Sequence, residues 1–393
     1  MSFINNIPSE YRSSVEKILP VIRAGFSGFD DKGDALGGVD WSYIARFAEQ
    51  QRILQILYYN LKRAGLDGEL PASTRTFFQK RFTRFAGTNL RRNRRLTRLL
   101  GFFEDKGIQI VPYKGPVLAQ RLYADSALRF YCDIDLLVHY RQLPEVWRLL
   151  HEAGYQPMEI NLTQPQFIMT AEYGNEFSFI DDDGATAIDL HWKIAKYTRH
   201  AFDLDFCASR LQRVLFEGCV VWGLSDEDTV LALCLNGGAH LWPHLENILT
   251  LADLLEATHE MDWDLLLDLA RRLRCERMLL LGLYLVADIF EVPVPGHMSR
   301  LMAMDKTLPI LAQRACIGIF QKIRAGKFRH LYWQMRLKEH PADKIRYVMH
   351  RFFVPTKKDW TARSLDGRNV YLSFILRPLK GVWGGMKSPP GFF

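Results

Sequence analysis

Two short segments, Tyr113-Lys114-Gly115 and Cys132-Asp133-Ile134-Asp135-Leu136-Leu137-Val138, carry the most informative pattern in the chain. A Lys-Gly pair closes the first apolar run, and two aspartates one residue apart open the second. If residues 133–138 form a strand, Asp133 and Asp135 point to the same face, because side chains alternate along a strand. Two adjacent carboxylates repel each other, which costs free energy unless a cation lies between them. We therefore expect this part of the chain to carry the chemistry.

Strands and helices alternate irregularly around these segments. Residues 108–113 follow Gly107 as a short apolar run, which is typical of a buried strand, and Pro116 suits the first turn of a helix. Residues 175–180 and 186–191 are two further strand-like runs, joined by an Asp-Asp-Asp-Gly turn that is a strong hairpin signal. The mixture predicts an α+β fold with a small mixed sheet rather than a doubly wound parallel sheet.

The segments on either side of this unit have helical periodicity. Before it, residues 10–65 and a stretch that begins at Pro71 have apolar residues three and four apart, with Gly87 and Asn89 as candidate interruptions. After residue 200 the pattern is again helical, and Ser225 is a candidate helix cap. We predict three regions: an N-terminal helical region (1–104), a mixed core (105–200) and a C-terminal helical region with a basic and aromatic tail (201–393).

The composition is that of a moderately basic globular protein. The 393 residues are 48% hydrophobic and 24% charged, with a formal net charge of +7, which suits contact with nucleotides, nucleic acid or anionic membranes without selecting among them. The six cysteines form no Cys-x-x-Cys pair, which argues against a zinc ribbon or a disulfide framework. Residues 1–8 lack a signal-peptide pattern and the longest apolar run, residues 278–287, is too short to cross a bilayer. We expect a cytoplasmic protein with no transmembrane segment.

A third acid, Asp189, lies among apolar neighbours in the second strand of the predicted hairpin. An unpaired carboxylate is costly in such surroundings. If this strand lies beside residues 133–138, three carboxylates converge, and hard oxygen ligands of this kind suit Mg²⁺. Two such metal ions can activate an attacking hydroxyl and stabilise a leaving pyrophosphate during in-line displacement.

Together these motifs resemble the DNA polymerase beta-like nucleotidyltransferase superfamily, in which a glycine pair at a helix start precedes Asp-x-Asp and a third aspartate. More closely, Tyr113-Lys114-Gly115, Arg129, the Asp133-x-Asp135 strand and Ile188-Asp189-Leu190-His191-Trp192 resemble the bacterial uncharacterised nucleotidyltransferase family. Asp226-Glu227-Asp228 and His240-Leu241-Trp242 are similar to the helical region of that family, and residues 359–379 to its C-terminal tail. The resemblance covers about residues 40–380.

The resemblance implies that Asp133, Asp135 and Asp189 ligate Mg²⁺ and that Asp189 helps to deprotonate the acceptor. It implies that residues 105–200 are a catalytic core that transfers a nucleoside monophosphate from an NTP, with ATP as the expected nucleotide, to an acceptor hydroxyl with release of pyrophosphate. The acceptor, which is a small molecule, a protein or an RNA, stays open, as does the oligomeric state.

The phosphate-binding part departs from the superfamily pattern. The usual Gly-Ser is replaced by Lys114 and Gly115 followed by Pro116, which has no N–H to donate. We then expect the phosphates to be bound by Lys114, by the backbone N–H groups at the helix start, which includes Gly115, and by Arg129. The structural alternatives are a solvated Lys114 and an Arg129 that pairs with Asp125.

Several other patterns have simpler explanations. A run of arginines that includes Arg91, Arg94 and Arg98 is best interpreted as a solvated helix face, although an anion-binding helix is the alternative. His191 is expected to be a half-buried histidine rather than a partner of Asp189. The spacing of His240 and His244 does not match a zinc protease, and no Walker A, Gly-x-Gly-x-x-Gly or serine-hydrolase motif occurs.

The competing functional hypothesis is a non-catalytic nucleotide- or RNA-binding module that keeps the nucleotidyltransferase fold. It is motivated by the missing serine and by the arginine-rich helix. The three costly carboxylates favour the enzyme, because a binding module has little need to bring them together. The apolar and basic residues 371–383 are expected to dock onto the core rather than onto a membrane.

Overall fold

A computed structural model of the protein describes residues 4–23, 36–123, 125–158, 162, 164–321 and 327–354. It contains a five-stranded mixed sheet of β1 (Ile110–Pro112), β2 (Asp133–Val138), β3 (Tyr155–Pro157), β4 (Glu176–Asp181) and β5 (Ala187–His191). The order across the sheet is β1-β2-β5-β4-β3, in which β2 and β5 are parallel and the other neighbours are antiparallel. The predicted α+β fold class is confirmed, and the predicted hairpin is the β4–β5 pair.

The two faces of this sheet differ in polarity. On one face Ile134, Leu136, Ile188 and Leu190 are buried in an apolar core. This core includes side chains from α4 (Ala72–Asp105) and α6 (Leu143–Glu152). Because side chains alternate along a strand, positions 133, 135, 189 and 191 lie on the opposite face, where they line a cleft.

The helices before the sheet are α1 (Ser9–Ile18), α2 (Trp41–Gln50), α3 (Leu54–Arg63) and α4. α4 is a continuous helix of 34 residues, so the prediction that Gly87 or Asn89 interrupts it is wrong. Asn89 is buried, and its Nδ2 donates hydrogen bonds to the carbonyl oxygens of Ser126 (3.2 Å) and Arg129 (3.3 Å). These tertiary hydrogen bonds outweigh the modest helix propensity of asparagine.

Three helices connect the strands, and a longer helical region follows the sheet. The connecting helices are α5 (Gly115–Leu122), α6 and α7 (Gln164–Tyr173). After the sheet come α8 (Leu204–Cys207), β6 (Gln212–Phe216), β7 (Cys219–Gly223), α9 (Asp226–His240), α10 (Leu245–Ala257), α11 (Trp263–Leu273), α12 (Glu276–Phe290), α13 (Gly296–Met304), α14 (Leu308–Gln321), α15 (Lys327–Leu337) and α16 (Pro341–Phe353).

The hairpin of β6 and β7 corrects the prediction that the chain is helical throughout after residue 200. Glu217 and Gly218 form its turn with φ values of +48° and +80°, which suit the tight turn of a two-residue hairpin loop. The prediction that Ser225 caps the next helix is confirmed, because its Oγ accepts a hydrogen bond from the N–H of Asp228 at 3.1 Å.

Some features bear on the remaining expectations. All six cysteines are free thiols in the structure. Among the described residues, no helix is long and apolar enough to cross a membrane. The tail similarity at residues 359–379 and the docking of residues 371–383 lie outside the described residues. The division of the chain at residues 104 and 200 stays a prediction.

Candidate active site

The polar face of the sheet is built on the pairing of β2 with β5. The register places Asp135 opposite Asp189 and Asp133 opposite Ala187 on these parallel strands. His191 follows two residues after Asp189, so it projects from the same face. The three acids expected from the sequence therefore lie on one face of the sheet, together with a histidine.

Asp135 is at the centre of this group and contacts two basic side chains. Its Oδ1 lies 3.1 Å from Nε2 of His191 and 3.4 Å from Nζ of Lys114. Burial alone would raise the pKa of Asp135, but the charge of Lys114 and the hydrogen bond from His191 outweigh burial and lower it. Asp135 is thus held as a carboxylate in a site where only 8% of the residue is exposed.

The other two acids behave in the opposite way. Burial raises the pKa of Asp189 to about 6, and the charge of Asp135 adds to this while a hydrogen bond with Ser178 opposes it. Burial and then the charge of Asp135 also raise the pKa of Asp133. Buried carboxylates that repel one another in this way provide an electrostatic environment that favours a bound cation.

The side chains that could together hold a metal ion are Asp135, Asp189 and His191, so His191 takes the place that the sequence analysis gave to Asp133. One potential ligand atom from each of Asp135, Asp189 and His191 lies within 4.8 Å of the others. Asp133 is outside this group, and its Oδ2 is 3.5 Å from Sγ of Cys132. His191 is only 4% exposed, so the expectation of a half-buried histidine is wrong. Its Nε2 contacts Asp135, and its Nδ1 lies 3.5 Å from a carboxylate oxygen of Glu176.

The start of α5 faces the acids. Gly115 begins this helix with a φ of +50°, and a Cβ there would lie 3.1 Å from the carbonyl oxygen of Asp133. Glycine is therefore needed both for the left-handed conformation and for the close approach to β2. Lys114 occupies the preceding cap position, where free N–H groups and the helix dipole favour an anion.

Arg129 is buried between α5 and α10. It pairs with Glu246 at 3.0 Å, and it donates hydrogen bonds to Thr250 (3.1 Å) and to the carbonyl oxygen of Gly115 (3.5 Å). The pair with Asp125 considered from sequence does not form; Asp125 instead accepts from the N–H of Ala127 at 2.8 Å. Arg129 holds the start of α5 in place, and its role in phosphate binding stays a prediction.

The acids open into a cleft of about 400 Å³, which is also lined by residues that the sequence did not single out for this site: Arg52, Glu176, Asn236, His240, His244 and Asn247. Arg52 lies between α2 and α3 with a φ of +61°, and its guanidinium is 4.6 Å from the ring centre of Phe130. A positive φ at arginine leaves no sequence signal. The histidine spacing was visible, but nothing in it pointed to this cleft.

His244 faces the cleft as a neutral side chain. Its Nδ1 lies 3.1 Å from the carbonyl oxygen of Gln50, to which it donates a hydrogen bond. Burial, and then the charge of Arg52, lower the pKa of His244 to about 4. At neutral pH the imidazole is uncharged, which leaves Nε2 as a hydrogen-bond acceptor.

The exposed arginines of α4 lie away from the cleft. Arg91, Arg94 and Arg98 are exposed, and none of them lines the cleft. Arg92 lies closer and donates a hydrogen bond to the carbonyl oxygen of Tyr131 at 2.9 Å. The arrangement agrees with the prediction of a solvated helix face.

Comparison with known proteins adds one finding. Residues 37–291 match the model of a family described as uncharacterised nucleotidyltransferase. The match covers more than half of the chain and includes every residue that lines the cleft. No curated protein and no solved structure matches the chain.

Proposed function

The chain belongs to the uncharacterised nucleotidyltransferase family, and we propose that it transfers a nucleoside monophosphate from an NTP to an acceptor hydroxyl, with release of pyrophosphate. The observation that carries the proposal is the register of β2 and β5, which sets Asp135 beside Asp189 on the polar face of the sheet. The start of α5, with Lys114 and Gly115, faces the same cleft. The acids and the proposed anion-binding site are therefore adjacent.

The acids fit a divalent cation. Asp135 and Asp189, with Asp133 on the same strand face, provide the oxygen ligands that Mg²⁺ prefers. Burial, and to a smaller extent the charge of Asp135, raise the pKa values of Asp133 and Asp189, and a bound cation would offset both effects. Mg²⁺ would polarise the phosphoryl group and neutralise charge on the leaving pyrophosphate. His191 orients Asp135 through its hydrogen bond, as the partners of metal-binding carboxylates commonly do.

The polyphosphate is assigned to the basic side of the cleft. Lys114 and Arg52 line this cleft together with Gly115 at the start of α5. Pro116 removes one N–H group, so the ammonium group of Lys114 takes over part of the role that a serine has in the superfamily pattern. We expect ATP to be accepted.

Asp189 is the proposed proton acceptor. A pKa of about 6 leaves its carboxylate mostly ionised at neutral pH but more basic than an ordinary aspartate. A general base is most effective when its pKa is near the working pH. The hydroxyl proton would pass to Asp189 while the hydroxyl oxygen attacks the α-phosphorus.

The test follows transfer of label from each α-labelled NTP, with Mg²⁺ and candidate acceptors. The wild type should form labelled product and pyrophosphate, and chelation of Mg²⁺ should stop both. Asp133→Ala with Asp135→Ala should abolish transfer, whereas the exposed Asp182→Asn should have no effect. Labelled product that persists in the double variant would refute the assignment.

One observation keeps the non-catalytic alternative in the test. Lys114 and His191 contact Asp135 and compensate its charge, so a binding module could use this site without turnover. Such a module would bind NTP or RNA with a steep salt dependence, because phosphate contacts release counterions. Binding of NTP without formation of pyrophosphate under any acceptor condition is the result expected of it.

A further inference from the structure

A second cavity of about 200 Å³ adjoins the cleft. Lys114, Glu176 and His191 line both spaces, as do Asn236 and His240. The second cavity extends from the end of β5 between α9, α12 and α15. A cavity of this volume fits a small molecule rather than a folded partner.

The inner wall of this cavity is largely apolar. Ile194, Leu235, Met278 and Leu337 line it, and all four are buried. Such a wall favours a ligand with a hydrocarbon part, because the ligand would release water from apolar surface on binding.

A buried ammonium group lies in the same wall. Lys338 is 7% exposed, and its Nζ donates a hydrogen bond to the carbonyl oxygen of Tyr197 at 3.3 Å. Nζ also lies 5.7 Å and 5.4 Å from the ring centres of Tyr197 and Tyr347. Burial lowers the pKa of Lys338 to about 8, so the side chain remains mostly charged at neutral pH.

No described carboxylate forms an ion pair with Lys338. The nearby Asp343 pairs instead with Arg274 (3.5 Å) and Arg346 (3.3 Å). An ammonium group has three N–H donors, and one hydrogen bond to a carbonyl leaves the charge of Lys338 without an opposite charge in contact. A buried charge in this state is unfavourable, and an anion in the cavity would relieve it.

Two amide side chains add neutral polar groups. Gln334 is 3% exposed, and its Nε2 donates to the carbonyl oxygens of Gly238 and Ala239, each at 3.1 Å. Asn236 lines both spaces. These groups can orient a ligand that passes from the second cavity into the cleft.

The two spaces differ in what they can hold. The cleft is the proposed polyphosphate site, because it is lined by Lys114, Arg52 and the start of α5. His191, which lines both the cleft and the second cavity, lies two residues beyond Asp189, the proposed proton acceptor. We propose that the second cavity binds the acceptor, and that this acceptor is a small hydroxylated compound with an apolar body and one carboxylate group that pairs with Lys338. This inference rests on the proposed function.

The proposed transfer forms one bond and breaks one bond at the α-phosphorus. The acceptor hydroxyl oxygen forms a bond to the α-phosphorus of the NTP, and the bond from that phosphorus to the α–β bridging oxygen breaks. Pyrophosphate leaves with the bonding electrons, and the hydroxyl proton passes to Asp189. No oxidant or further reactant is needed.

The experiment measures binding of matched probes to the full-length protein by ligand-observed NMR, with and without a non-hydrolysable ATP analogue and Mg²⁺. The acids are 6-hydroxyhexanoate and 4-hydroxyphenylacetate, and the neutral controls are their primary amides. The acids should bind the wild type, and Lys338→Met and Lys338→Gln should each weaken them about tenfold or more without changing the binding of the amides. Lys306→Met, at an exposed lysine, should leave all probes unaffected.

Unfolding temperatures measured on the same samples ensure that lost binding is not lost structure, since removal of a buried charge should not destabilise the protein. The inference is overturned if acids and amides bind alike, if no acid binds, or if the Lys338 variants retain the acids. It is also overturned if pyrophosphate release requires an RNA end or a protein and does not depend on Lys338. Acid binding that depends on Lys338, with no pyrophosphate formed from any NTP, would support the anion site and refute the proposed transfer.

Discussion

At the scale of single residues, the site is governed by how each charge is compensated. Asp135 is stabilised as a carboxylate by Lys114 and His191, while burial raises the pKa of Asp189 to about 6. One acid is thus fixed in its ionised form, and the other is suited to exchange a proton. Environments that separate the pKa values of neighbouring acids in this way are typical of catalytic sites.

Lys338 provides a prediction about stability and pH. Its pKa is about 8 in the folded protein, against 10.5 for an exposed lysine, so the unfolded chain binds more protons between these pH values. Lys338 therefore lowers the free energy of unfolding by its full amount below pH 8. This destabilisation decreases above pH 8 and disappears as the pH rises through 10.5. Lys338→Met should raise the free energy of unfolding at pH 7 by up to about 3 kcal/mol.

Urea unfolding of wild type and variant at pH 7 and pH 10 measures this difference, because the other titrating groups are common to both proteins. The advantage of Lys338→Met should be smaller at pH 10 than at pH 7. If Lys338→Met is less stable than the wild type at pH 7, or if its gain in unfolding free energy grows with pH, the burial of Lys338 does not destabilise the protein.

At the scale of elements, the junction between α5 and β2 fixes the spacing of the basic and acidic parts of the site. Gly115 allows the helix start to approach the carbonyl oxygen of Asp133. Arg129 connects this start to α10 through Gly115 and Glu246. The position of α5 relative to the acids therefore depends on a backbone contact and on a buried ion pair.

The backbone contact is tested with a pair of glycines. Gly115→Ala and Gly184→Ala both place a side chain at positive φ, which costs about 1–2 kcal/mol, but only at Gly115 does the new Cβ meet another atom closely. Gly115→Ala should also reduce nucleotidyl transfer by about 10- to 100-fold through misplacement of α5. Equal activities for the two variants, measured alongside their unfolding free energies, would contradict a role for this contact.

The buried ion pair is tested by a double-mutant cycle. Arg129→Met alone should destabilise the protein by about 3–5 kcal/mol, because it leaves Glu246 buried without its partner. Addition of Glu246→Gln should recover part of this loss, since the uncompensated charge is then removed. Denaturant unfolding gives the coupling free energy; strictly additive effects would mean that the pair contributes nothing beyond its separate residues.

At the scale of the whole molecule, the sequence predicted the parts of the site that follow from local pattern. Residues 133–138 were predicted as a strand because two aspartates one residue apart open an apolar run, and this spacing puts both carboxylates on one face. A separate local signal, the Asp-Asp-Asp-Gly turn at residues 181–184, predicted the β4–β5 hairpin. Assignment of the three aspartates as metal ligands remains a prediction from the family resemblance.

Features that depend on tertiary packing were not predictable in this way. His191 looked like an ordinary histidine, and only the pairing of β5 with β2 brings it to Asp135. Arg52 enters the cleft through a turn between two helices. Lys338 directly follows the end of α15, nearly 150 positions after Asp189 in the chain. The β6–β7 hairpin was missed because several of its apolar residues, such as Leu215 and Val220, are exposed and give no core pattern.

The proposed reaction requires a divalent cation and a nucleoside triphosphate to meet at the polar face of β2 and β5. A crystal structure of the protein with Mn²⁺ and a non-hydrolysable ATP analogue, recorded at the manganese absorption edge, measures this directly. We expect an anomalous peak beside Asp135 and Asp189, with the triphosphate in contact with Lys114 and the start of α5. Manganese that contacts neither aspartate, or a triphosphate bound on the exposed arginines of α4, would contradict it.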